Sequence, residues 1–274
     1  MTAFKAACVQ VNAGNDMAAN IAVASDLTRS AVAQGAQLVL FPENVAMMEW
    51  GRAAITAKAM TEETHAALAA FRALARELKI WLHAGSLTVL RDNGKVANRT
   101  YVIDPKGGIA AKYDKIHMFD VDLGNGERYA ESATFEPGNA AKFVDLPWGR
   151  LGLTICYDLR FPHLYRHLAQ QGADFLTVPS AFTQVTGEAH WHVLLRARAI
   201  ETGCYVLAPA QTGTHTGGRK TFGHALIVAP WGEILADAGT APGVIVADID
   251  PAKVAGARAK VPAISLNAAF SPAG

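Results

Sequence analysis

Strand-length runs with almost no polar alternation, such as Phe175-Leu176-Thr177-Val178 and Tyr205-Val206-Leu207-Ala208, recur along this chain. A strand that alternates polar and apolar residues can leave one face in water, but runs like these need cover on both faces. Helical periodicity supplies that cover. Asn15 or Asp16 caps a predicted helix that runs to about Gln34 and stops at Gly35. Thr61 opens a second, with Ala67, Leu68, Phe71, Leu74, Ala75 and Leu78 at three-four spacing. Further helices are predicted over 162–171 and 189–202, among strands over 4–11, 37–41, 80–90, 98–104, 142–146, 150–155, 174–179 and 204–210. The turns Asp92-Asn93-Gly94-Lys95 and Pro147-Trp148-Gly149 make hairpins of neighbouring strands, so the sheets are mixed. Two mixed sheets packed face to face with helices outside, a four-layer α-β-β-α sandwich of the α/β class, meet all these demands. The 274 residues contain no linker-like segment or charge block, which predicts one domain over 1–274 with a C-terminal tail from about 262.

The formal net charge is +1 and Lys and Arg are not clustered, which argues against nucleic acid or an anionic membrane as partner. No apolar run is long enough to span a bilayer, and no basic region precedes an apolar core at the N-terminus, so the predicted location is cytoplasmic. Cys8, Cys156 and Cys204 form an odd set without CxxC spacing, against both a disulfide framework and a structural zinc site.

Three of the apolar runs end in a chemically active side chain. Glu43 follows Gln37-Leu38-Val39-Leu40-Phe41-Pro42, Lys115 follows the run from Ile109 to Tyr113, and Cys156 follows the run from Leu151 to Ile155. Each has a plainer reading alone: a loop acid, a solvated lysine with Lys112 as competitor, a buried thiol. Cys8 and Cys204 lie within apolar strands and are read as core. A carboxylate, an ammonium and a thiol together are the parts of acyl transfer through a thioester.

In their order and separation, the Phe41-Pro42-Glu43-Asn44, Lys112-Tyr113-Asp114-Lys115-Ile116-His117 and Leu151-Gly152-Leu153-Thr154-Ile155-Cys156-Tyr157-Asp158 stretches resemble the nitrilase superfamily of carbon-nitrogen hydrolases. The resemblance implies Glu43 as general base, Lys115 as oxyanion stabiliser and Cys156 as nucleophile, with Glu131 as a supporting acid and the Tyr157 N–H as a second oxyanion donor. Tyr157-Asp158-Leu159-Arg160-Phe161-Pro162, Pro179-Ser180-Ala181-Phe182 and Ala189-His190-Trp191 look like the branch of deaminated glutathione amidases and ω-amidases. Leu159 stands where carbamoyl-hydrolysing relatives often have the first of two arginines. The implied activity is cofactor-free hydrolysis of a small carboxylate-bearing amide to acid and ammonia, with deaminated glutathione first and 2-oxoglutaramate or 2-oxosuccinamate as the alternative. A scaffold protein or an acyltransferase on the same fold are competing readings.

Arg160 is the candidate for the substrate carboxylate, because a guanidinium can bind it bidentately. Ser180, Phe182 and His190 are candidates for the pocket wall, and loops 45–59 and 120–128 for its shape. His190 and His192 point in different directions on a helix and cannot chelate one ion, and no Gly pair makes a phosphate loop, so no metal or cofactor is predicted. The resemblance also implies a homodimer or higher homo-oligomer formed through the helix after the nucleophile and the one beginning near Ala189.

Overall fold

The computed structural model describes residues 2–124, 126–269 and 271. Strand β1 (Phe4–Val11) leads into helix α1 (Met17–Ala33), whose N-cap Asp16 accepts hydrogen bonds from the N–H groups of Ala18 (2.9 Å) and Ala19 (3.1 Å). After β2 (Leu38–Leu40), the loop over 45–59 contains a short helix, α2 (Arg52–Lys58). Helix α3 (Ala66–Leu78) begins later than Thr61, because Met60 is held extended by a bridge to Val89 and the chain turns between the Thr61 and Thr64 hydroxyls, 3.1 Å apart. The strand predicted over 80–90 is two, β3 (Trp81–His83) and β4 (Leu87–Leu90). Gly85 breaks it at φ +61°, where a Cβ would lie 2.0 Å from the Pro42 carbonyl oxygen.

β5 (Val96–Ile103) and β6 (Ile109–Asp114) follow, and then a small hairpin, β7 (Asp120–Asp122) with β8 (Arg128–Ala130). β9 (Lys142–Leu146) and β10 (Gly149–Leu153) form the second predicted hairpin. Next come α4 (Pro162–Gln170), β11 (Ala173–Thr177) and α5 (Gln184–Thr202), the last starting five residues before the predicted 189 on the Thr183 cap. β12 (Tyr205–Ala208), β13 (Ala210–Thr214), β14 (Lys220–Phe222), β15 (Leu226–Val228), β16 (Ile234–Asp237), β17 (Gly243–Ile249) and α6 (Ala252–Lys260) complete the order.

One sheet runs β14-β13-β1-β2-β3-β5-β4, with β17 on β1 and β6 on β5; the other runs β16-β15-β12-β11-β10-β9. Both are mixed: β1, β2 and β3 are parallel, as are β10, β11 and β12, and hairpins flank each set. Phe4, Ala6 and Cys8 of β1 pack with Leu151, Leu153 and Phe175 of the facing sheet, while Ala7, Val9 and Val11 join Phe71 and Leu74 of α3. Side chains alternate in direction along a strand, so a central strand serves two apolar interiors and has no polar face. Leu164, Leu168, Trp191 and Leu195 of α4 and α5 cover the second sheet, which completes the α-β-β-α sandwich.

The chain from 262 turns back on α4, where Arg166 Nη2 donates to the Leu266 carbonyl (2.6 Å) and Gln170 Nε2 to Asn267 Oδ1 (2.9 Å). The rest of that predicted tail includes residues 270 and 272–274, which lie outside the described residues. No helix among the described residues is long and apolar enough to cross a membrane.

Candidate active site

Glu43, Lys115 and Cys156 meet at the strand ends. Glu43 follows β2, and its backbone is tied by Gln211 Nε2 to its carbonyl (2.9 Å) and by Ser86 Oγ to the next N–H (3.0 Å). Lys115 follows β6, its N–H donating to the Asn98 carbonyl (2.9 Å). Cys156 opens a 3-10 turn, Cys156–Arg160, after β10 and has φ +47°. A non-glycine residue in the left-handed region costs on the order of 1–2 kcal/mol, so its surroundings must hold it there.

Asp158 does much of that holding. Fully buried, it accepts from the Ile155 N–H (2.9 Å), the Tyr113 hydroxyl (2.7 Å), and the His117 N–H (3.1 Å) and Nδ1 (2.7 Å). Tyr113 and His117 flank Lys115, so one carboxylate ties the nucleophile's turn to the lysine's strand end.

The carboxylate of Glu43 accepts hydrogen bonds on both oxygens. Oε1 accepts from Lys115 Nζ (3.0 Å) and Asn98 Nδ2 (2.9 Å), and Oε2 from the Ala181 N–H (2.9 Å). Lys115 Nζ also reaches Glu131 Oε1 (3.0 Å) and Oε2 (2.8 Å), and Glu131 Oε2 accepts the Phe119 N–H (2.7 Å). The ammonium thus sits between two carboxylates, nearly out of contact with water.

These contacts set the charges. Burial alone would raise the Glu43 carboxyl, but the Lys115 ammonium, the Arg219 guanidinium and hydrogen bonds from Cys156 and Lys115 outweigh it and hold it below its ordinary value. Burial would lower Lys115, yet Glu131 and then Glu43 push it up. Burial, reinforced by the Glu43 charge, pushes the Cys156 thiol well up against the pull of Lys115. These directions favour a carboxylate, an ammonium and a neutral thiol at neutral pH over a preformed thiolate.

The three side chains line a cavity of about 340 Å³ whose walls include Met47, Trp50, Phe119, Tyr129, Phe182 and Arg219. Loop 45–59 and the β7–β8 hairpin both contribute, through Trp50, Arg52 and Arg128 among others. Tyr157 lines the cavity too, and among the described residues no backbone acceptor takes its N–H. Glu131 and Phe182 are in the lining; Arg160, Ser180 and His190 are not. Ser180 is buried with Oγ on the Val178 carbonyl (3.1 Å). Exposed His190 lies 3.3 Å from Arg160 Nη1 through Nδ1, and Arg160 stacks over the Phe182 ring at 5.1 Å. His192 pairs with Asp237 (3.0 Å), which also meets His224 (2.9 Å), away from the cavity.

Asn98, Asp158 and Arg219 were not singled out by the sequence. Asn98 carried the one available signal, an amide inside the otherwise β-prone run from Val96 to Ile103.

A family model described as carbon-nitrogen hydrolase matches residues 5–259. A deaminated glutathione amidase of Synechocystis sp. is 43% identical over 268 residues, covering 96% of this chain and 98% of that protein. The omega-amidase NIT2 of Homo sapiens is 36% identical, with 96% and 94% covered. The structure of the C. elegans NitFhit protein superposes with a TM-score of 0.89 at 35% identity, covering 97% of this chain, which spans 65% of that longer one. With the match running across nearly all of the chain and both sheets, this protein belongs to the carbon-nitrogen hydrolase family.

Proposed function

We propose that the chain is an amidase that cleaves a small carboxylate-bearing amide through a thioester on Cys156, with deaminated glutathione as its first substrate. The observation that carries this reading is the meeting of Glu43, Lys115 and Cys156 in the wall of one cavity, with the Lys115 ammonium fixed between two carboxylates.

The mechanism follows from those contacts. Glu43 takes the thiol proton as Sγ attacks the amide carbon, and Lys115 Nζ and the Tyr157 N–H donate to the developing oxyanion. Protonated Glu43 hands its proton to the leaving nitrogen, the C–N bond breaks and the amine departs. Water then gives a proton to Glu43 and attacks the thioester. The second tetrahedral intermediate collapses to the acid, and the thiolate recovers the proton. Glu131 keeps Lys115 charged and aimed. No cofactor is called for in this sequence of steps.

The leaving group depends on the substrate. Release of ammonia belongs to primary amides such as 2-oxoglutaramate, whereas the scissile amide nitrogen of deaminated glutathione is that of cysteine, so cysteinylglycine leaves. Both deliver the same 2-oxoglutaryl group to the thiol. The omega-amidase relative favours keeping the primary ω-amides as a second reading.

The test is formation of 2-oxoglutarate from each amide by the purified protein, with Cys156→Ala as the blank. Higher kcat/KM on deaminated glutathione supports the first reading and higher kcat/KM on 2-oxoglutaramate the second; turnover that survives in the blank removes the thioester. We also infer a homodimer through α4 and α5 and a cytoplasmic site of action, the latter in keeping with three free cysteines.

A further inference from the structure

The substrate class proposed above needs a cationic partner for its carboxylate, and Arg160 and its neighbour His190 lie outside the cavity lining. Arg219 lies within it. The chain between β13 and β14 is built to present this residue. His215 and Arg219 close the loop through His215 N–H to the Arg219 carbonyl (2.8 Å), and Gly218 N–H returns to the His215 carbonyl (3.0 Å). The buried His215 ring pins the loop to the body, with Nδ1 2.8 Å from the Ala13 carbonyl and Nε2 2.6 Å from the Thr221 hydroxyl. Gly217, at φ +78°, packs against Trp50 so closely that a Cβ would lie 2.7 Å from the indole Cγ. The loop and the cavity wall are therefore one packed unit.

The guanidinium is oriented but not used up. Nη2 donates to the Ala181 carbonyl (2.6 Å) and the group lies over the Tyr129 ring at 5.3 Å, while Nε is buried with no hydrogen-bond partner. That Nε is closed off by its neighbours, whereas Nη1, which has no hydrogen-bond partner among the described residues and is not a buried atom, is the donor left for a ligand in the cavity. The other two arginines of the cavity, Arg52 and Arg128, are exposed. Of the three, Arg219 is the one tied to Glu43 through a single residue: the Ala181 N–H holds Glu43 Oε2 and the Ala181 carbonyl holds Arg219.

We propose that Arg219 is the carboxylate anchor of the acyl pocket, binding the acid end of the amide's acyl group while the other end meets Cys156. This rests on the carboxylate-bearing substrate class of the preceding subsection. Because both amides considered there share the 2-oxoglutaryl group, one anchor serves both, and the leaving side is free to be ammonia or an amine.

The experiment compares kcat/KM for 2-oxoglutaramate and for 4-oxopentanamide, which has a methyl in place of the carboxylate, in the native enzyme, Arg219→Gln and Arg219→Lys. The native enzyme prefers the anionic amide, and Arg219→Gln shrinks that preference by about ten- to a hundred-fold, mainly through KM, as expected for losing a charge-assisted bidentate contact. Arg219→Lys, which keeps the charge and the loop but not the planar fork, gives an intermediate preference and covers the case in which the Gln variant does not fold. A preference retained within about two-fold in both variants, with both substrates slowed together and the acidic limb of the pH profile moved up, overturns the anchor and leaves Arg219 as a group that only tunes Glu43. A native enzyme that turns over both amides with no preference overturns the carboxylate reading itself, and the anchor with it.

Discussion

Cys156 is held at φ +47° with its thiol neutral, so its chemistry depends on Glu43 as much as on the sulfur. Glu43→Gln is expected to abolish turnover while leaving the fold intact, measured as kcat alongside the melting curve. The pH profile carries the sign of the shifts. Glu43 is lowered from its ordinary value, so the acidic limb of kcat/KM falls below the usual carboxylate range of about 4.3, and no basic limb from Cys156 appears near its free value of about 8.5. For stability, a lowered Glu43 contributes above its unfolded pKa and is lost as pH falls through the folded one. The raised Lys115 contributes below its unfolded pKa and is lost as pH rises through the folded one. The pair's contribution is thus constant between about pH 5 and 9, so the fall in stability expected below about pH 6.5 in urea titrations belongs to the buried histidines, His83 lowered to about 3 and His65 and His215 also lowered by burial. Asp158→Asn faces an amide donor toward N–H donors already in place; we expect kcat to fall about ten- to a hundred-fold with a smaller effect on KM, together with a lower melting temperature. An unchanged kcat would remove Asp158 from the positioning of the nucleophile. Glu43, Lys115 and Cys156 were legible because each ends an apolar run, whereas Asp158, Asn98 and Arg219 act through partners 45, 55 and 38 residues away.

At the scale of elements, local signals located helices but not their first turns. Asp16 was readable as a cap, and Asp16→Ala should destabilise by about 1 kcal/mol, a fall of about 2–4 °C in Tm. Thr61 misled because the Met60–Val89 bridge holds the chain extended before it, a pairing that spans 29 residues and has no local trace. The run from 204 to 210 is not one strand: β12 ends at Ala208 in one sheet and β13 starts at Ala210 in the other, with only Pro209 between. Ser180 fastens that crossover, donating its N–H to the Pro209 carbonyl (3.0 Å) and accepting the Gln211 N–H (2.9 Å). Gly187 in α5 gives a test in which propensity and packing oppose each other. Replacing it with Ala should favour a helix by about 1 kcal/mol, but the new Cβ would lie 2.3 Å from Phe222 Cβ, so net destabilisation in thermal unfolding is expected.

For the whole molecule, the two sheets share one interior and the helices close the outer faces, yet α5 keeps large apolar residues in water: Val193 is 68% and Ile200 55% exposed. They are seven positions apart and so on one side of the helix, and Trp231, beside the Gly232 that packs on Ile200, is 54% exposed. If this face joins two copies, Val193→Glu yields monomers in sedimentation at micromolar concentration from a native dimer; a native monomer ends the idea. The sequence by itself determined the layers and the three groups that meet in the cavity, because two-sided burial leaves strands no polar face and because these side chains stand where apolar runs stop. The tertiary structure alone decided which groups become partners. The left-handed cysteine, whose N–H is held by the Pro179 carbonyl, the carboxylate that ties its turn to the lysine's strand and the arginine in the cavity wall each depend on contacts between segments far apart in the chain, and such contacts leave no periodicity in any one segment.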